Sequence, residues 1–164
     1  MPTTRASRTI AASPQALWEL LCDPHHQPRW WPRVTRVEDV TLTGTGEAGA
    51  FTQVMRTRKG KLVRADYSVR REDERRRLTW VQRIAGTPFA SVLKSSEIEL
   101  ALEPASPDAA ATAVTIELRQ EMAIGSARYS PFMSLAPRFG GPLVRRAAAA
   151  TLTQALDGLE RING

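Results

Sequence analysis

The sequence predicts an α+β fold: a curved antiparallel sheet of about six or seven strands wrapped around a long C-terminal helix. Three observations predict it. Between residues 35 and 124, apolar and polar residues alternate at the period of a strand, in consecutive runs joined by short polar turns. The final segment changes period, with Ala148, Leu152, Ala155, Leu156, Leu159 and Ile162 at helical spacing. A sheet with one apolar face needs a cover, and that helix is the element available to provide it.

The elements follow in order. Residues 5–10 form a first strand. "SPQALWELLCD" forms a helix, with Ser13 as N-cap, Pro14 where a missing N–H costs nothing, and an apolar stripe of Leu17, Leu20 and Leu21. Asp23-Pro24 ends it, because the residue before proline avoids the helical region. A second helical piece covers Gln27 to Trp31 and stops at Pro32. Strands follow in "TRVEDVTL", "AFTQVMRTR", "KLVRADYSVRR", "LTWVQRIAG", "SVLKSSEIELALE" and "TAVTIELRQEMAI". Short turns between sequential strands make an antiparallel meander the simplest topology. A looser helical segment spans Pro131 to Phe139, and the long helix begins near Pro142.

The last hairpin also predicts its own register. If Leu102 pairs with Val114, then Leu100 meets Ile116, Ile98 meets Leu118 and Ser96 meets Gln120. Ser96 and Gln120 then share an otherwise apolar inward face, where buried polar groups need partners. They satisfy each other or a backbone group, or they meet a ligand or water in a cavity. Gln53 and Gln82 are further inward candidates.

At 164 residues one domain, spanning 1–164, is the natural expectation, and that size supports a core without disulfides. The single cysteine, Cys22, excludes an internal disulfide framework. No apolar run approaches the roughly 20 residues of a membrane span, and "MPTTRASRTI" lacks a secretory h-region, so a cytoplasmic location is expected. The net charge is +6, but the basic residues are spread along the chain and no nucleic-acid motif accompanies them. The run "RREDERRR" reads as a solvated hairpin tip, with Arg75 to Arg77 as the core of a membrane or partner contact in the alternative.

The stretch "CDPHHQPRWWP" gathers Cys22, Asp23, His25, His26, Trp30 and Trp31. Its spacing matches no zinc pattern. The reading is a polar corner between two short helices, with no metal or cofactor, and with the two histidines not converging on one ion. Because neighbours on a helix point apart, one tryptophan is expected to face the sheet and the other the surface.

Three stretches resemble a known family. "IAASPQALWELLCDPHHQPRWWPRVTRVE" resembles its opening strand–helix–helix–strand, "REDERRRLTWV" its charged hairpin tip before an aromatic strand, and "LDGLERI" the end of its C-terminal helix. The sequence is similar to the START/Bet v 1-like (SRPBCC) superfamily with the helix-grip fold, in particular to polyketide cyclase/dehydrase and lipid-transport-like proteins. That resemblance implies a deep apolar cavity between sheet and helix for a lipid, polyketide or aromatic compound. The residues expected to line it are Trp30, Trp31, Phe51, Met55, Tyr67, Trp80, Ser96, Gln120, Met122, Phe132, Phe139 and Leu143; Met133 belongs to the same apolar set. Core packing is the competing reading for each large side chain. No nucleophile–base–acid constellation is visible. Three functions are open: a carrier or sequestering protein, a cyclase/aromatase in which Tyr67 is the best general acid/base, and a basic surface meeting anionic membrane or nucleic acid. Oligomeric state is left open.

Overall fold

A computed structural model describes residues 2–42, 48–72, 75–123 and 140–163. Among these residues, strands β1 (Thr3–Ile10), β2 (Val34–Leu42), β3 (Ala48–Arg56), β4 (Leu62–Glu72), β5 (Arg77–Gln82), β6 (Leu93–Pro104) and β7 (Thr112–Met122) form one sheet in the order β1-β7-β6-β5-β4-β3-β2. All pairings are antiparallel. The meander from β2 to β7 agrees with the expected topology, and β1 closes onto β7. The two strands nearest the N-terminus are therefore the two edges of the sheet.

The segment between those edges carries helix α1 (Pro14–Cys22), a 3₁₀ turn at Pro24–His26 and the single-turn helix α2 (Gln27–Trp30). Ser13 caps α1 as expected: its Oγ accepts from the Ala16 N–H at 3.2 Å. The buried stripe differs from the expected one, consisting of Leu17, Trp18 and Leu21. Trp18 takes the place of Leu20, which is only half-buried.

Helix α3 (Gly140–Asn163) packs chiefly on β1 and α2. Leu152, Ala155, Leu156 and Leu159 are buried on its inner stripe, as the helical spacing predicts. Gly158 lies on the same stripe, and glycine inside a helix costs about 1 kcal/mol relative to alanine. The reason for it here is contact with α2. A Cβ at 158 would sit 2.4 Å from the Trp30 carbonyl oxygen and 2.6 Å from its Cα. The missing methyl lets the two backbones touch. At the exposed end of this contact, Arg8 of β1 pairs with Asp157 and, at 3.1 Å, with Glu160.

The long hairpin holds the predicted register: Leu102↔Val114, Leu100↔Ile116, Ile98↔Leu118 and Ser96↔Gln120. Apolar residues of both strands face the core. On the outer face the Arg119 guanidinium lies between three carboxylates, Glu117 at 2.8 Å and Glu97 and Glu99 at 3.3 Å. A short 3₁₀ turn at Pro88–Ser91 shortens the fifth strand, which the sequence pattern extends to Gly86 but which ends at Gln82.

Gly158→Ala should lower the urea midpoint by the equivalent of about 1–3 kcal/mol, the usual cost of overpacking. The clash outweighs the propensity gain. The same measurement on Ala149→Gly, at an exposed position of α3, should show only the propensity loss of about 1 kcal/mol.

Candidate functional site

The corner between the two edges is built on Asp23. Its Oδ1 accepts from the His25 backbone N–H at 3.0 Å and lies 2.9 Å from His25 Nδ1, while Oδ2 lies 3.7 Å from His26 Nε2. Partial burial works against ionisation, but the N–H and ring of His25 prevail and hold this carboxyl below the usual aspartate range. The histidines thus lean on one exposed carboxylate. Cys22 stands apart from them: burial pushes its thiol up to about 11, against the opposing pull of Arg71 and Arg75. Among the described residues no three His, Cys, Asp or Glu side chains come together as a metal site would need.

The same corner delivers both tryptophans inward, which corrects the expectation that they diverge. Trp30 ends α2, whereas Trp31 leaves the helix with an extended backbone, φ −85° and ψ 128°. That change swings the second ring back toward the first. Trp30 and Trp31 are 2% and 6% exposed, with centroids 5.5 Å apart in an edge contact. Both meet Trp80 of β5, at 5.9 and 5.5 Å. Trp80 also touches Phe51 and Tyr67, which stack across β3 and β4 at 5.1 Å. Phe51 and Trp80 are each 1% exposed, so protein atoms surround them on nearly every side. These rings pack on one another.

Polar groups are enclosed with them. Gln27 is completely buried, and its Oε1 accepts from Gln53 Nε2 at 2.7 Å. The Gln27 Nε2 and Trp30 Nε1 donors are buried without an acceptor. Gln27 escaped the sequence reading, because a lone glutamine between a histidine and a proline carries no periodic signal.

Beyond the rings, polar residues continue across the inner face. Phe51 pairs with Tyr67, Tyr67 with Gln82, and Ser96 with Gln120. The β5–β6 pairing runs to Val81↔Glu97, so Gln82 and Ser96 are the next residues along each strand. The row Tyr67–Gln82–Ser96–Gln120 therefore crosses β4 to β7. Gln120 Nε2 donates to Ser96 Oγ at 3.3 Å, so these two satisfy each other in part. Gln82 Nε2 is buried without an acceptor. Desolvation raises the Tyr67 phenol well above its ordinary range; like any tyrosine it is protonated near neutral pH and can donate there.

Exposure changes along this row. Ser96 is 3% exposed, while Leu118, Gln120 and Met122 at the end of β7 are half-buried although their strand positions face inward. Met122 packs with Phe89 against a small separate cluster of Ile84, Val92 and Leu93. Met55 is half-buried at the edge of the main core. Phe132, Met133 and Phe139, with the Pro131–Phe139 segment, lie outside the described residues, as does the Leu143 side chain.

Comparison with known proteins agrees with this architecture. A family model described as polyketide cyclase / dehydrase and lipid transport matches residues 1–162. Among solved structures, a START superfamily protein from Mycobacterium smegmatis is similar with a TM-score of 0.74 at 17% identity, covering 98% of this chain and 96% of that one. The Zhui aromatase/cyclase from Streptomyces sp. R1128 gives 0.70 at 16% identity, over 98% and 89% of the chains. Ginseng major latex-like protein 151 from Panax ginseng gives 0.69 at 16% identity, over 99% and 97%. At these identities the likeness shows the fold. No curated protein matches the sequence.

The half-buried thiol of Cys22 has a measurable consequence. With its pKa pushed up to about 11, Cys22 should react with Ellman's reagent at pH 8 on the order of a hundredfold more slowly in the folded protein than in urea. The folded rate should climb about tenfold per pH unit up to that value, as the thiolate fraction grows.

Proposed function

The chain belongs to the polyketide cyclase / dehydrase and lipid transport family, and from that premise we propose that it holds a hydrophobic, oxygen-bearing small molecule against the inner face of its sheet, as a carrier or sequestering protein. One observation carries the reading: the row Tyr67–Gln82–Ser96–Gln120 crosses the inner face, and the buried Gln82 Nε2 donor has no acceptor. An unpaired buried donor costs about 1–3 kcal/mol, so such a group is retained where something satisfies it. A carbonyl or hydroxyl oxygen of a ligand fits that need. The half-buried Leu118 and Met122 supply the apolar surface beside it, and methionine adapts readily to an irregular ligand.

Tyr67 favours a second reading, a cyclase-type enzyme in the same space. Its phenol stays protonated and sits cross-strand from Gln82. Such a donor can polarise a substrate carbonyl while the surrounding walls hold a reactive chain in a productive shape.

Solvent extraction of protein purified from its native host, followed by mass spectrometry, tests the first reading. A retained oxygenated lipid or aromatic compound is the expected outcome; protein that carries nothing, and whose tryptophan emission no hydrophobic probe quenches, would contradict it. With a ligand in hand, Gln82→Leu should weaken binding roughly three- to tenfold, the worth of one hydrogen bond. Tyr67→Phe separates the two functions: for an enzyme it removes turnover while affinity stays within about threefold, and for a carrier there is no turnover to lose.

A further inference from the structure

The β3–β4 hairpin ends in a tight turn, with Thr57 N–H donating to the Lys61 carbonyl at 2.8 Å and Gly60 N–H to the Thr57 carbonyl at 2.9 Å. Gly60 adopts φ +79° and faces open space. From Arg56 to Arg64 the chain reads "RTRKGKLVR", five cations and no acid in nine residues. Arg64 is taken by Glu38, which also holds Arg36 at 2.6 Å. Arg56 donates to the Gly60 carbonyl at 3.3 Å. Among the described residues, no carboxylate pairs with Arg56, Arg58, Lys59 or Lys61.

The neighbouring surface extends this charge. A shallow cleft of about 320 Å³ lies between Arg33 on one side and Arg56 and Arg58 on the other. A second cleft of about 330 Å³ shares Arg33 and adds Arg29 and Arg161. Its one acid, Asp157, is already paired with Arg8. Leu62 stands at the base of the basic turn, cross-strand from Arg56, and is 44% exposed. It is the one large apolar side chain so exposed among the described residues.

We propose that this end of the molecule docks on an anionic phospholipid bilayer, with the basic turn and the Arg33 cleft on the headgroup phosphates and Leu62 entering the interface. Charge alone would suit any polyanion. The leucine decides, because a bilayer places apolar material directly beneath a layer of phosphate and so rewards an apolar side chain ringed by cations. A nucleic-acid backbone in water gives that side chain nothing. Leu62 and the basic turn lie at the end of β4 five residues from Tyr67, so the vesicle test reads a different part of the molecule from the polar row.

Vesicle co-sedimentation of the full chain tests it. Vesicles with about 30% phosphatidylglycerol in phosphatidylcholine should bind at least tenfold more tightly than pure phosphatidylcholine, with the advantage shrinking as salt rises. The double variant Arg58→Glu/Lys59→Glu should lose about tenfold or more, and Leu62→Ser about threefold with the salt slope unchanged. Arg145→Glu/Arg146→Glu, which reverses two exposed charges on α3, should stay within about twofold of the parent, since charges outside the contact are screened. Native tryptophan emission from the ring cluster confirms that each variant is folded. The proposal is overturned by equal binding to neutral and anionic vesicles, by equal losses from the two charge reversals, by no effect of Leu62→Ser, or by tighter binding to duplex DNA than to vesicles at one salt concentration.

Discussion

The contact on which the other packing depends is the meeting of four rings around Trp80. One indole on β5 touches Trp30 and Trp31 from the α1–α2 segment and Phe51 and Tyr67 from β3 and β4. Aromatic pairs contribute about 0.5–1.5 kcal/mol each beyond the area they bury. Their geometric effect is larger still. They fix the α2 corner against the middle of the sheet, and the corner in turn offers its backbone to Gly158 of α3. The long helix is thus seated directly on β1 and β7 at one edge of the sheet, and on α2 where the corner meets Gly158.

Much of this was legible in the residues because it rests on simple periods. Alternation locates the meander: in β4, Val63, Ala65, Tyr67 and Val69 share the inward face, three of them buried and Val63 half-buried. In the last hairpin, matching apolar positions determined the pairing to the residue, including Ser96 beside Gln120. What periodicity could not supply was a change of backbone direction. Trp31 faces inward because α2 ends one residue earlier than expected, and no spacing rule encodes that. Gly158 reads locally as a weak point in a helix, since its reason lies in another element. Of the expected lining residues, Trp30, Trp31, Phe51 and Trp80 proved to pack on each other, while the polar row needed cross-strand pairing to become visible as a row.

Charge shows the same division. The sequence spreads its arginines along the chain, and the fold sorts them. Arg119 is surrounded by three glutamates and Arg8 by two acids of α3. Some neutralising partners lie two residues away on the same strand, as Glu117 does for Arg119, but others come from a neighbouring strand or from α3, so the uncompensated remainder is apparent only after folding. Several cations at the β3–β4 turn and the neighbouring clefts are left without a carboxylate, at the opposite end of β4 from the "RREDERRR" run that draws the eye first.

The place of β1 has a consequence for how the chain is made. This strand emerges first, yet its partner is β7, and the Thr112 hydroxyl that closes on the Ala12 carbonyl is 100 residues away. Until β7 exists, β1 has no strand to pair with, while β2 to β6 can zip as successive hairpins. Contacts this distant are slow to form, since the intervening chain must be ordered before they bring any gain. During synthesis β1 waits for β7, with an unpaired edge exposed in the meantime. Of all the strand pairs in the sheet, β1 with β7 is the one whose closure spans the longest stretch of intervening sequence.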